Sequence, residues 1–377
     1  MWTVTTLSET CKMYQPKTIS AKEMKADGEY VVYGANGIIG KYDKYNHEEP
    51  QLLITCRGAT CGSVNVSTPF SWINGNAMVI QPDISKVSLR YMEYLFKGGI
   101  DLSRAITGSA QPQITRQSLN DITFSYPPLA EQQRIVAKLD AAFAEIDEAV
   151  NLTTQKMARS KQAQIQLKDD AVKGLIEKFP TEILGKIAEF KNGMNYSKSD
   201  KGSFLKIVGV GDFKSNFFVD NTSLQTIRVK GISDNYLLKS GDILFVRSNG
   251  NKELIGRSML VKDVCESMTF SGFSIRCRLN NEMLLPEFVC HILKSNLIRR
   301  TLIDGGGGSS ISNLNQKMLS DIPMPIVVHD EQIRFLTRIQ SFEENFEILV
   351  KAFTEKLNLL HSLKSAILAQ ELQSEAA

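Results

Sequence analysis

The chain has 377 residues, of which 42% are apolar and 23% charged, with a net charge of +3. These values exclude a collagen, a disordered polyelectrolyte and a disulfide scaffold, and the length leaves room for two or more domains with cores of their own. Six cysteines at wide, irregular spacings, with no CxxC pair, exclude a zinc scaffold and fit thiols in a reducing compartment. The start Met1-Trp2-Thr3 lacks a signal core, and no apolar stretch reaches membrane-spanning length, which predicts a cytoplasmic protein without a membrane partner.

In chain order, strand-like runs come first: Glu29 to Tyr33, Gln51 to Thr55 and Ala77 to Ile80, separated by Gly/Asn/Pro clusters. A short helical stretch follows, about Leu89 to Lys97. After Pro127-Pro128, residues 129–178 hold one glycine, Gly174, and no proline until Pro180. Ile135, Leu139, Ala142, Ile146, Ala149 and Thr153 recur in steps of four and three, the spacing of a coiled-coil seam. Strand-like runs then return at Phe204 to Val208, Asp242 to Val246 and Phe273 to Cys277, followed by a helical stretch from Pro286 to Arg300. A last helix carries Ile339, Phe342, Phe346, Leu349, Phe353, Leu357 and Leu360 on one stripe, continued by Leu363 and Ile367. At 1.5 Å per residue, roughly 40 residues give a helix of about 60 Å, more than one domain core needs.

The chain is duplicated. Leu119-Asn120-Asp121-Ile122 recurs as Leu319-Ser320-Asp321-Ile322, and the decapeptide from Ala130 to Leu139 recurs from Asp330 to Ile339, both at an offset of 200 residues. The division this predicts is 1–128 for a first head, 129–179 for a central helix, 180–327 for a second head and 328–377 for a C-terminal helix. The class is α+β: two similar strand-rich heads joined by two long helices that pair as an antiparallel coiled coil, with the heads at opposite ends. Net charge is +1, 0, +5 and −3 over residues 1–128, 129–178, 179–327 and 328–377, so the second head is the basic part.

Enzyme motifs are weak throughout. Ser125-Tyr126-Pro127-Pro128 has the wrong order for the loop of an amino-methyltransferase and reads as a turn at a domain end. The glycines from Gly305 to Gly308, followed by Ser309-Ser310, lack the Gly-Lys-Ser/Thr ending of a phosphate loop, and Gly34 to Gly40 lacks the helix and carboxylate of a dinucleotide fold. The four histidines have no metal-ligand spacing. No catalytic residue, metal site or cofactor on this chain is expected.

Polar and basic side chains on the expected loops suit a different task. Arginine offers guanine a two-pronged donor, asparagine and glutamine match the donor-acceptor pair of adenine, and lysine neutralises phosphate. In the first head the candidate DNA-binding residues are Asn36, Lys41, Lys44, Arg57, Asn74, Asn76, Gln111, Gln113 and Arg116. In the second they are Lys191, Asn195, Lys198, Lys201, Arg247, Ser248, Asn249, Asn251, Lys252, Arg257 and Ser310. Each alone is an ordinary solvated side chain, and the clustering carries the reading. A two-headed coiled-coil adaptor for protein partners fits the same layout.

Several of these stretches resemble one known family, the specificity (HsdS) subunits of type I restriction-modification systems. Residues 33–40 (YGANGIIG), 53–58 (LITCRG), 74–77 (NGNA), 114–122 (ITRQSLNDI) and 127–135 (PPLAEQQRI) are similar to one half of such a subunit. Residues 241–250 (GDILFVRSNG), 255–258 (IGRS), 270–273 (FSGF) and 319–323 (LSDIP) are similar to the other half. Residues 330–334 (DEQIR) are a less regular version of the proline-led linker, and the helix ends match with a shift of four residues. The resemblance implies a non-catalytic subunit whose heads are target-recognition domains, each reading half of a split target on double-stranded DNA. It also implies two methyltransferase subunits using S-adenosylmethionine to methylate adenine, and restriction/translocase subunits using ATP and Mg for cleavage.

Overall fold

The most apolar runs, Leu52–Thr55 and Ile243–Val246, form central strands that are buried on both faces. The computed structural model describes residues 1–108, 111–196, 202–214, 216–264, 266–304 and 313–373, without the side chains of Lys252 and Asp304. The chain divides into two compact units, Met1–Thr154 with Phe353–Ala377, and Gln155–Ala352. Each unit therefore takes part of both long helices, Leu129–Lys178 and His329–Leu372.

In the first unit an antiparallel sheet runs in the order Cys11–Tyr14, Ala77–Pro82, Leu52–Thr55, Val64–Val66. A second sheet has the order Gly37–Tyr42, Tyr30–Gly34, Trp72–Ile73, with the last pair parallel. Alternate residues of the central strands point to opposite faces. Leu52, Ile54, Met78 and Ile80 pack with Tyr91 and Leu95, while Leu53 and Val79 pack with Tyr33 and Ile73. Burial on both faces explains why these runs read as continuously apolar.

The second unit repeats this plan. Its antiparallel sheet has the order Ala188–Asn192, Ser274–Leu279, Ile243–Val246, Ser258–Leu260, and its mixed sheet the order Gln225–Val229, Ser203–Val208, Met268–Phe270, again with the last pair parallel. Ile243, Phe245, Ile275 and Cys277 face the helix Pro286–Lys294 through Phe288 and Ile292, and Leu244 and Val246 face Val208 and Phe270. A short closing ladder also recurs, Thr3–Thr6 with Thr123–Tyr126 and Thr181–Ile183 with Pro323–Pro325. Leu7 donates its backbone N–H to Ile122 at 3.0 Å, and Leu184 donates to Ile322 at 2.9 Å, the same bond in both copies.

The helical stretches differ in detail from the sequence pattern. The stretch from Pro286 is two helices, Pro286–Lys294 and Asn296–Asp304, because the Ser295 hydroxyl donates to the Ile292 carbonyl and accepts from the Ile298 N–H. The first-unit helix Leu89–Tyr94 ends in a wider turn, Leu95–Gly99, against which the C-terminal helix packs closely. A Cβ on Gly98 would lie 2.4 Å from Leu368 Cδ2 and 2.9 Å from its Cγ, so a larger residue there would push the buried Leu368 side chain out of place.

Within each unit the two long helices run antiparallel. In the first, Lys138 pairs with Glu371 at 2.5 Å and Asp147 with Lys364 at 2.7 Å, so one helix rises in number as the other falls. In the second, Lys168 pairs with Glu343, and Val172 packs with Phe335 and Ile339. Ile135, Leu139, Ile146 and Thr153 are buried as the seam requires. Leu349 and Leu363 are not: they are 40% and 48% exposed. The inward position near Leu363 belongs to Lys364, whose ammonium lies 4.7 Å from the centre of the Phe143 ring and reaches Asp147, so an amphipathic stem does the covering expected of a leucine.

Head and helix are joined by one residue of the duplicated decapeptide. Gln132 is fully buried; it accepts from the Ser88 N–H at 2.9 Å and donates to the carbonyls of Lys86 at 2.7 Å and Pro127 at 2.9 Å. Gln332, also fully buried, accepts from the Leu285 N–H at 2.8 Å and donates to Met283 and Val327, both at 2.7 Å. Ser88 and Leu285 are the N-caps of the equivalent short helices. Replacing either glutamine by alanine strands three backbone groups away from water, and we expect a loss of about 3 kcal/mol in urea unfolding of that unit. A loss below about 1 kcal/mol would mean that water takes over the amide's role.

Candidate nucleic-acid interface

The loops that leave four strands of the second unit meet in one cleft of about 930 Å³. They follow Ala188–Asn192, Ser203–Val208, Ile243–Val246 and Met268–Phe270, and they contribute Asn195, Val210, Ser248, Asn249 and Phe273, with Asn313 arriving from the region before the last ladder. Backbone bonds tie the loops together: Ser271 N–H to Val208 at 3.0 Å, Gly272 N–H to Met194 at 2.8 Å and Arg247 N–H to Phe273 at 2.7 Å. One close approach requires glycine, since a Cβ on Gly193 would lie 2.0 Å from the Ser271 carbonyl oxygen, and a Cβ on Gly272, 2.2 Å from Asn195 Oδ1, would displace the Asn195 amide.

Two amides of the loop after Ile243–Val246, Asn249 in the cleft and Asn251 beside it, are held through their side-chain oxygens. Asn249 accepts the Asn251 N–H at 2.8 Å through its side-chain oxygen, and Asn251 accepts the Glu253 N–H at 3.0 Å in the same way. Each is thereby oriented by an Asx turn through its oxygen, which turns the NH2 group, a donor, away from that bond. Arg247 is half-buried, and its guanidinium reaches the Gly272 carbonyl at 3.5 Å. Lys191 sits in strand Ala188–Asn192 with its ammonium 4.8 Å from the centre of the Tyr236 ring. Lys198, Lys201 and Ser310 lie outside the described residues, as do Gly305 to Gly308, and of Lys252 only the backbone is described.

Arg257 belongs to a different group. It lines a depression with Glu253, Asn296, Arg299 and Arg300, and a neighbouring one with Lys214 and Lys294. Burial, and then the like charge of Arg257, holds Arg299 below the usual arginine range. This basic cluster is the local source of part of the positive charge on residues 179–327. The sequence pattern missed Lys214, Lys294, Arg299 and Arg300, because only the fold brings them together.

In the first unit the corresponding loops carry Asn36, Arg57, Asn76 and Gln113, all exposed. Asn36 accepts from the hydroxyls of Thr55 at 3.0 Å and Thr60 at 2.7 Å, which fixes its amide beside the Gly37 turn. Lys41 and Lys44 lie on the return side of that hairpin, away from its tip, and Gln111 and Arg116 are exposed near the start of the helix Arg116–Asn120. Asn74 is a correction. It is 2% exposed; its side-chain oxygen accepts from Ile19 N–H at 2.8 Å and Trp72 Nε1 at 3.2 Å, and its NH2 donates to the Ile19 carbonyl at 3.1 Å. Its amide is fully engaged inside the protein and leaves nothing for a base.

Backbone bonds set the equivalence between units. Ile114 N–H donates to Cys56 at 2.9 Å and Leu314 N–H to Arg247 at 2.8 Å, while bridges join Arg57 with Gln113 and Ser248 with Asn313. Cys56 thus corresponds to Arg247, Arg57 to Ser248 and Gln113 to Asn313. The two arginines that look alike in sequence are one position out of register. Asn74 N–H donates to Tyr33 and closes a turn with Ala77, as Ser271 does with Val208 and Ser274, so Asn76 corresponds to Phe273.

Residues 1–155 and 177–358 both match the family described as the type I restriction modification DNA specificity domain. The chain belongs to that family. It is 24% identical over 96% of its length, and 78% of the relative's, to the type I restriction enzyme StySPI specificity subunit of Salmonella potsdam. It is 23% identical over the same shares to the EcoKI specificity subunit of Escherichia coli K12. Among solved structures, a chain from work on complex assembly and conformational transition of the type I R-M system superposes with a TM-score of 0.72 at 14% identity, covering 99% of this chain and 98% of that one. The HsdS subunit of Thermoanaerobacter tengcongensis superposes at 0.56 with 16% identity, covering 99% and 97%. The role of this specificity subunit is DNA sequence recognition within a restriction-modification complex. Among the described residues, no helix is long and apolar enough to cross a membrane, and no group of three or more His, Cys, Asp or Glu side chains is placed to hold a metal ion.

Asn74 is buried and Asn76 exposed, so the pair distinguishes an amide held inside the fold from one open to solvent. Asn74→Ala should lower unfolding stability by about 2 kcal/mol and leave target preference intact. Asn76→Ala should stay within about 0.5 kcal/mol of the native chain and relax one target position, as read by urea unfolding and methylome sequencing.

Proposed function

We propose that the chain reads a bipartite target on double-stranded DNA, one half with each head, and that the two long helices set the unread gap between the halves. The heads are residues 1–128 and 180–327, and the spacers are 129–179 and 328–377. The observation that carries this reading is the frame equivalence: loops after corresponding strands hold the same backbone bonds but present different side chains, Arg57 against Ser248, Asn76 against Phe273 and Gln113 against Asn313. A constant frame with varied exposed groups is what reading two unrelated short sequences requires. The basic cluster around Arg257 suits phosphate, which positions without specifying.

In this proposal the chain itself makes and breaks no bond. Two methyltransferase subunits use S-adenosylmethionine to methylate adenine, and restriction/translocase subunits use ATP and Mg to cleave. The assembly works in the cytoplasm. That the same two helices enter both units supports a spacer role, since their length is then shared by both reading ends.

Removing one heptad from the central helix between Ala149 and Gln164, matched by residues 350–356 of the C-terminal helix, keeps the Asp147–Lys364 and Lys168–Glu343 ion pairs in step. Methylome sequencing of a host carrying this variant should show both half-sequences unchanged and the gap altered. An unaltered gap would remove the spacer role. Absence of sequence preference in the native complex, in gel shifts across a salt series, would favour a protein-binding adaptor instead.

A further inference from the structure

Phe273 is 60% exposed, yet it stands in the cleft beside Asn195, Ser248, Asn249 and Asn313. Its backbone is firmly held. The carbonyl accepts from the N–H groups of Arg247 at 2.7 Å and Ser248 at 3.4 Å, and its own N–H donates to the Ser271 hydroxyl at 3.3 Å. The ring is therefore presented to the cleft from a fixed turn, where the polar side chains of Asn195, Ser248, Asn249 and Asn313 line the wall together with the apolar Met194 and Val210.

We infer that Phe273 is a specificity-determining residue of the second head, whose ring makes apolar contact with the 5-methyl group of a thymine; the inference rests on the DNA-reading role proposed above. Along the major groove each base pair displays donors and acceptors, and thymine alone adds an apolar group. A phenyl ring has nothing to donate or accept, so it discriminates there only by shape and apolar contact. The corresponding turn of the first unit carries the exposed amide Asn76, a side chain suited to adenine. One frame position thus holds chemistries matched to two different bases.

The test uses the full chain in complex with its methyltransferase subunits, and duplexes bearing the target selected from a random pool. Each thymine of both half-sites is replaced in turn by deoxyuridine, which lacks only the methyl group. One replacement should weaken binding by about fourfold, the effect of withdrawing one methyl-sized apolar contact. Phe273→Ala should bind the thymine and uracil duplexes equally at that position, and Phe273→Leu should retain part of the difference. The ring is on the surface, so the variants should fold, and unchanged preference in the other half-site confirms it. If no thymine position is sensitive, or if Phe273→Ala keeps the discrimination, the inference fails while DNA reading stands. The same holds if Phe273→Ala weakens every sequence alike, as loss of a wedge between base steps would. Loss of all sequence preference in the native complex would overturn both.

Discussion

Two buried glutamines hold each head to its helix, and the geometry of either unit depends on them. Gln132 and Gln332 are primary amides taken fully out of water, with three hydrogen bonds each to backbone groups of two segments, the entry to the short helix and the residues just before the long helix. Apolar packing is strong but tolerant of sliding, whereas a buried amide is satisfied in one arrangement and costly in the others. The glutamines therefore define the angle and register at which a strand-rich head meets a long helix. The spacer role proposed for the helices requires that joint to be rigid.

On this joint stands a frame whose constancy lies in the backbone. The strand orders, the parallel pair in the smaller sheet, the closing ladder and the turn bonds recur in both units. Side chains facing the sheets are bound to the frame by close packing, and those on loops beyond the strand ends are not. Sequence divergence between the heads is therefore cheap at the loops, which is where Arg57, Asn76 and Gln113 in one copy meet Ser248, Phe273 and Asn313 in the other. The same economy accounts for Asn74: its counterpart Ser271 holds the turn through backbone bonds and a hydroxyl that accepts the Phe273 N–H, whereas the first unit places there an internal amide that fastens Ile19.

Much of the architecture could be read from local pattern. The offset of 200 residues reveals the duplication, and the absence of proline between Pro128 and Pro180 delimits the central helix, because these signals are read directly along the chain. The seam was legible where leucine and isoleucine fill it, as at Ile135, Leu139 and Ile146. It was misread at Leu363, since hydrophobicity alone does not reveal that Lys364 lays its stem over Phe143 and reaches Asp147. The candidate site was legible as residue types on loops, and less so as individual residues: Phe273 has no polar group to draw attention, and Arg299 and Arg300 sit on a helix.

The amino-acid sequence by itself determined the twofold plan, the long helices and the family, since periodicity and internal likeness survive without knowledge of distant contacts. Only the tertiary structure decided which residue of one head stands where in the other, which amide is buried and which aromatic is presented. Those answers depend on strand pairing across dozens of residues and on which face of each loop meets water, and a shift of one position, such as Arg57 against Ser248 rather than Arg247, reverses the side chain on offer.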